Sequence, residues 1–428
     1  MNARASGRIR VAALATMFVV LLTARVATAA TPSATPGPVE TPPPTPVPPF
    51  GSPSPFVSVL HTPAPSAADP MVAAPSAVLA DLDTGQLLWT KEPGQQLPIA
   101  SVTKIMTALL ILERTDPEEV VTVSDEAASG GPTTGISNLG LQAGERVRVE
   151  DLLYALILQS ANDAALALAE HVAGSVEAFV ELMNRRAMRL GLRETEFFSP
   201  NGLDDRGYSS ARDLVRLTRA AYAEPAFQAV ATTRFHEVPS PDGPPRVVQN
   251  RNVLLWLYPG AIGGKTGFTT AAGFCVVAVA EREGVRLVAV VLGSPSEAFS
   301  DAAEILNHGF AAFDRHTFVE PGETLGRLEI VGGRVPVAAG AGLDALVRAS
   351  DVGLAERDER AAPRALFPPN EGERVGTLTV RAGDAVLGRV PLVVSSVPPP
   401  EPVEGSWLGR AASAVWDAVA GAFAALVD

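Results

Sequence analysis

Three strand-like runs lie close together in this chain, Gly263–Thr266, Gly273–Ala280 and Val285–Leu292. The turns between them are too short for a crossover, so the three runs must be antiparallel neighbours. Far upstream, Ala77–Thr90 reads as a hairpin with Asp83-Thr84-Gly85 at its turn. Helical patterns fill the space between: Val102–Glu113, Leu152–Gln159, Asp163–Val172, Val176–Leu190 and Ala211–Tyr222, with Ala298–Phe313 closing the series. Strands at both ends with helices between them predict an α+β domain, an antiparallel sheet with helices on its faces. Val102–Glu113 is apolar nearly all round, which suits a helix buried in the middle of that domain.

The flanks read differently. Residues 1–29 have the form of a secretory signal peptide: Arg4, Arg8 and Arg10, an apolar stretch Val11–Leu22, and small residues Ala27-Thr28-Ala29 at a cleavage site. An uncleaved anchor is the alternative, although the apolar run is short for a span. Residues 30–74 are a Pro-rich linker and 75–319 the α+β domain. From 320 the texture changes to short β-type segments (Arg327–Ile330, Val375–Val380, Val386–Val394), predicting a small all-β domain over 320–396. Residues 397–405 form a second linker, and 406–428 a helix with a narrow polar stripe of Ser406, Arg410, Ser413 and Asp417. Such a helix suits the membrane interface, and Asp417 near its middle makes a full span costly. A partner-docking helix is the other reading.

The formal net charge of -13 excludes nucleic acid as a partner, because no basic surplus exists to neutralise phosphates. The single cysteine, Cys275, permits no internal disulfide and reads as a small core residue on a strand. Among the 34 cationic residues only Lys91, Lys104 and Lys265 are lysines. A chain so biased toward arginine keeps lysine where guanidinium cannot substitute, as at a proton-transferring base. Lys91 reads as a surface residue. The five histidines show no ligand spacing, so neither a metal site nor a cofactor is expected. The Gly-rich stretch Gly130–Gly140 lacks a P-loop lysine and reads as one rim of a cleft.

Ser101-Val102-Thr103-Lys104 places a hydroxyl and an amine three residues apart, on one face of a helix start. Free N–H groups and the positive helix end there favour developing negative charge. A desolvated lysine can then deprotonate the serine. Ser160-Ala161-Asn162 sits in a helical break, where Ser160 can relay a proton and Asn162 can bind a substrate backbone; both are equally common helix caps. Lys265-Thr266-Gly267 lies on the first of the three strands, where a cation beside a hydroxyl suits a carboxylate and glycine lets a ligand backbone lie close. Each motif is weak alone. Their order, and the kind of element each falls on, make the set specific.

The set resembles the D-alanyl-D-alanine carboxypeptidases among the low-molecular-mass penicillin-binding proteins. Family-like segments include Ile99–Thr107, Leu158–Ala164, Phe198–Leu203, Tyr208–Leu214 and Lys265–Cys275. The resemblance implies a β-lactamase/transpeptidase-like domain followed by a small β-rich one. It further implies acyl transfer from a peptidoglycan stem peptide ending in D-Ala-D-Ala. Ser101 would attack, Lys104 accept the proton, and Ser160 pass one to the departing D-alanine. Asn162 would orient the acyl side, while Lys265, Thr266 and Gly267 hold the terminal residue. The backbone N–H groups of Ser101 and Phe268 would cradle the oxyanion. β-Lactams would acylate Ser101 by the same route. The chain would be exported and act at the extracytoplasmic face of the membrane, held to that surface by its C-terminal helix. One departure stands out: family members carry an arginine near the start of the helix after the last strand, and Ser294–Leu306 contains none.

A serine β-lactamase is the runner-up among enzymes, but Ala161 stands where class A enzymes have Asp, and no deacylating Glu motif lies between Asn162 and Lys265. Endopeptidase cleavage of cross-links needs the same residues. A non-catalytic β-lactam sensor or wall-binding protein has no use for an activated nucleophile.

Overall fold

The computed structural model describes residues 67–129, 137–296, 298–330, 333–361, 369–383, 385–396 and 414–417. The signal peptide and most of the first linker lie outside the described residues, as do 130–136 and all of the terminal helix except 414–417.

The hairpin and the three later runs join one five-stranded sheet. Its strands are β1 (Ser76–Asp81), β2 (Leu87–Lys91), β3 (Ala261–Thr269), β4 (Gly273–Arg282) and β5 (Val285–Ser294), in the order β2-β1-β5-β4-β3. Every pairing is antiparallel, with Val78 opposite Val290 and Val277 opposite Lys265. Alternation sorts the strand residues between two cores. Val78, Ala80, Val277, Val279, Val288 and Val290 face a helical layer that contains α1 (Lys104–Leu112). Ala77, Leu79, Val276, Ala278, Leu287 and Ala289 face the closing helix. The sheet is therefore buried on both sides, which is why its strands read as continuous apolar runs.

All residues from Lys104 to Ile111 are buried, as the all-round apolar pattern predicts. Around α1 pack α2 (Asn162–Ala173), α3 (Val176–Leu190) and α4 (Ala211–Tyr222). Ser175 and Ser210 start the last two by accepting the Ala178 and Asp213 amides. Across the sheet lies α5 (Ala298–Ala312).

Some elements carry no clear sequence signal. A helix over Pro225–Thr232 and a hairpin of Phe235–Val238 with Arg246–Gln249 fill the chain between α4 and β3. These pieces are short, and their exposed and buried positions alternate too briefly to give a period. A second five-stranded sheet is built from Thr324–Ile330, Gly333–Ala339, Ala385–Val394, Arg374–Ala382 and Ala355–Ala361, in that order. One of its faces covers a core of Leu328, Val335, Leu378, Val380 and Val390. Asp314–Val319, starting before residue 320, pairs instead with Leu343–Val347. Residues 414–417 are helical, with Val415 and Trp416 exposed. Among the described residues, no helix is long and apolar enough to cross a membrane.

Candidate active site

Ser101 lies in a 3-10 turn (Ala100–Thr103) that runs directly into α1, so Lys104 is the first residue of the α-helix. The three-residue spacing brings Lys104 Nζ to 2.9 Å from Ser101 Oγ. Nζ also donates to Asn162 Oδ1 at 2.8 Å and to the Asn201 carbonyl at 2.7 Å. Those two acceptors fix the amine so that its third tetrahedral position points at the nucleophile. When Lys104 is neutral, that position is a lone pair and Ser101 donates to it. Burial of Lys104, followed by the charges of Lys265 and Arg251, pulls its pKa well below the ordinary lysine range, against a smaller opposing pull from Asp163.

Ser160 is held in the left-handed region at φ 65, between a π turn over Ala155–Gln159 and α2. A non-glycine residue held there carries a cost of about 1–2 kcal/mol. Its Oγ is buried and has no hydrogen-bond partner among the described residues, yet it borders the cleft. An orphaned hydroxyl at a cleft fits a group whose partner arrives with the substrate. Ser160 is the C-cap of the π turn, bonding back to the Ala155 carbonyl through its backbone N–H and not its hydroxyl, while the N-cap of α2 is Ala161, without a side-chain cap bond.

Asn162 has partners on both sides within the protein. Its Oδ1 accepts from Lys104, its Nδ2 donates to the Ser137 carbonyl at 3.0 Å, and it is 1% exposed. Through Oδ1 it positions Lys104, and one of its two Nδ2 hydrogens is engaged inside the protein. Lys265 is likewise buried, donating to the Thr266 carbonyl at 2.8 Å. Burial, and then the charge of Arg251, lower its pKa to about 7. Thr266 lines the cleft. Gly267 answers to a different neighbour than expected: a Cβ there would come within 2.8 Å of the Ile99 carbonyl and 3.1 Å of the Ser101 amide. The glycine admits the turn that carries the nucleophile, so β3 lies directly against it.

Ser101, Ser160, Thr266, Gly267 and Phe268 line a cavity of about 720 Å³, whereas Lys104, Asn162 and Lys265 are buried and are not among its lining residues. Its rim includes Ser137, the described end of the Gly-rich stretch, whose Oγ donates to the Gln159 carbonyl. Asp163 secures that rim by accepting the amides of Leu139, Gly140 and Leu141. Lys91 is half-buried and donates to the Val72 carbonyl, so it ties down the entering chain instead of standing free at the surface. Cys275 is buried beside the cavity, and burial pushes its thiol up to about 11.

Two participants were not singled out from the sequence. Asn201 acts through its carbonyl, which no side-chain pattern reports; its only signal was membership of the Phe198–Leu203 segment. Arg251 lines the cavity on the segment leading to β3. As one arginine among many, it gave no signal. At the start of α5, where the family arginine is missing, Ala298 and Phe299 line the wall.

Residues 63–296 match the family model described as D-alanyl-D-alanine carboxypeptidase. The chain is 33% identical over 384 residues to the D-alanyl-D-alanine carboxypeptidase DacC of Escherichia coli, covering 84% of this chain and 92% of that one. Its identity to DacF of Bacillus subtilis is 31% over 331 residues, 74% and 84% of the two chains. In structure it is similar to penicillin binding protein 5 from Haemophilus influenzae, with a TM-score of 0.67, 27% identity, and coverage of 77% and 98%. Sequence match, fold and the Ser101–Lys104 geometry agree: the chain belongs to the D-alanyl-D-alanine carboxypeptidase family of serine peptidases, with the α+β fold of the penicillin-binding proteins.

Proposed function

We propose that this chain removes the terminal D-alanine from peptidoglycan stem peptides through an acyl-enzyme on Ser101. The observation that carries the reading is the 2.9 Å contact between Ser101 Oγ and a buried Lys104 amine held by two further acceptors. The Ser101 oxygen bonds to the penultimate carbonyl carbon as its proton moves to Lys104. Ser160 passes its proton to the amide nitrogen as the C–N bond breaks and D-alanine leaves, and takes in exchange the proton held by Lys104, which is thereby neutral again. Water then attacks the ester, gives up a proton to Lys104, and restores Ser101 with release of the shortened peptide.

The N–H groups of Ser101 and Phe268 face the developing oxyanion. The terminal carboxylate is met by Thr266, with Lys265 beneath and Arg251 at the cavity wall. Arg251 thus takes the part left vacant by the arginine missing from α5. β-Lactams acylate Ser101 by the same attack. The segment from 75 to the end of α5 carries the catalysis, and the β-rich domain runs from the strand Asp314–Val319, which pairs with Leu343–Val347, to 396. An exported chain with its helix at 406–428 in the membrane interface brings the cleft to its substrate outside the cytoplasm.

The test is incubation with a muropeptide pentapeptide and with a cross-linked dimer. Release of D-alanine from the pentapeptide, with the dimer left whole, is the expected result. Cleavage of the dimer alone would make the chain an endopeptidase, and rapid penicillin turnover with neither peptide cleaved would make it a β-lactamase.

A further inference from the structure

The second sheet turns one face to its core and the other away from it. Along Ala355–Ala361, Arg374–Ala382 and Ala385–Val394, the side chains of Leu378, Val380, Val390 and Leu392 enter the core. Alternation sends their neighbours to the opposite face. There the register sets Arg360 beside Thr377 and Pro391, Asp358 beside Thr379 and Arg389, and Glu356 beside Arg381. With Arg374, all of these except Glu356 line a concave site of about 530 Å³.

In a chain of net charge -13, four guanidinium groups converge on this one surface. Two are partly committed. Arg360 pairs with Asp358 at 3.1 Å, and Arg374 donates to the Thr377 hydroxyl at 2.9 Å. Arg381 and Arg389 have no hydrogen bond or ion pair among the described residues. Like charges gathered in one site repel one another until an anion joins them. Guanidinium forks match the paired oxygens of phosphate.

The place of this face along the chain indicates which anion. Ala385–Val394 is the last strand of the sheet, and the dozen residues from Val394 to Ser406 span at most about 40 Å. The interfacial helix proposed for 406–428 therefore keeps the sheet close to the bilayer. Such a helix is held by its buried apolar area together with electrostatic attraction to anionic lipids. This one lacks the second part: from 397 onward Arg410 is the only cation, against Glu401, Glu404, Asp417 and Asp428.

We propose that the arginine face of the second sheet binds the phosphate headgroups of anionic lipids, supplying the electrostatic attraction that the terminal helix lacks. Arg381 and Arg389 are its uncommitted cations, with the Thr377 and Thr379 hydroxyls beside them. The inference rests on the interfacial reading of 406–428. Each arginine at an anionic surface adds about fivefold to binding, so the face strengthens the hold of the helix and does not replace it.

The experiment measures sedimentation of the full-length chain with vesicles of phosphatidylcholine, alone or mixed with phosphatidylglycerol. Wild type should bind the anionic vesicles more than about tenfold more tightly, and the advantage should shrink as salt is added. Arg381→Gln combined with Arg389→Gln should lose about 10–30-fold on the anionic vesicles and nothing on the neutral ones. Arg381→Glu combined with Arg389→Glu should bind vesicles containing a cationic lipid better than wild type does, a gain that damage to the domain would not produce. Penicillin acylation should be unchanged throughout, because neither arginine lines the cleft. Equal wild-type binding to the two vesicles, or an undiminished preference in the Gln variant, would overturn the assignment while leaving the helix reading intact. If wild type binds neither vesicle, the helix reading falls and the assignment with it. Binding to purified peptidoglycan that is lost in the Gln variant, with vesicle binding unchanged, would also overturn it and give these arginines to a wall polymer.

Discussion

Lys104 and Lys265 are both buried lysines, but the chemistry asks opposite things of them. In the proposed mechanism Lys104 must be neutral to take the Ser101 proton, so its depressed pKa is an asset, and activity should be lost as pH falls through that pKa. Lys265 must be charged to hold a carboxylate, so binding weakens as pH rises through about 7. A bound carboxylate raises the Lys265 pKa. The alkaline limb should therefore fall near 7 in kcat/KM, which reports the free enzyme, and at higher pH in kcat, which reports the complex. Lys265→Arg should abolish that limb. Lys104→Arg should instead slow acylation by about 10²–10⁴-fold, because guanidinium does not give up its proton. Coincident limbs in the two profiles would contradict these roles. The scarcity of lysine made both positions legible in the sequence. The anchoring around them was not, because Asn162 bonds to the Ser137 carbonyl and Lys104 to the Asn201 carbonyl, which only the fold brings near.

Among the elements, the long ones announced themselves. The α1 segment and the strands β4 and β5 are buried on every side, so an unbroken apolar run was the signal. What sequence reading could not supply is how closely β3 approaches the nucleophile turn. Gly264 has φ +124, and a Cβ there would sit 1.9 Å from the Val277 carbonyl, so the strand is bent just before Lys265. Gly267 then lets the bent strand press on the turn at Ser101. Gly267→Ala forces these backbones apart with no flexible side chain to yield. It should cost about 1–3 kcal/mol of stability. It should also slow acylation more than tenfold, because the two amides proposed to hold the oxyanion lie on the elements being separated. Thermal melts and the rate of penicillin acylation measure both effects; unchanged acylation would mean that the close approach is incidental.

For the molecule as a whole, sheet composition was only partly readable. The antiparallel trio followed from turn length, while its union with the N-terminal hairpin rests on long-range pairing, such as Ala77 with Val291. The second sheet is harder still to read, because its strands are half-exposed and its order runs against the sequence. With one cysteine, no internal disulfide can form, and the chain depends on its packed cores for stability. The tail beyond 396 contributes nothing to the cavity among the described residues. A chain ending at 396 should therefore release D-alanine from soluble pentapeptide at the full-length rate and no longer sediment with lipid vesicles. Vesicle binding that survives the truncation would place the membrane contact elsewhere.

The central claim is that Ser101 is the nucleophile, and covalent labelling tests it most directly. After incubation with benzylpenicillin, intact-protein mass spectrometry and peptide mapping should find one penicilloyl group per chain, on the peptide containing Ser101, and none on the Ser101→Ala protein. An adduct that persists in Ser101→Ala, or that maps to another residue, would contradict the account.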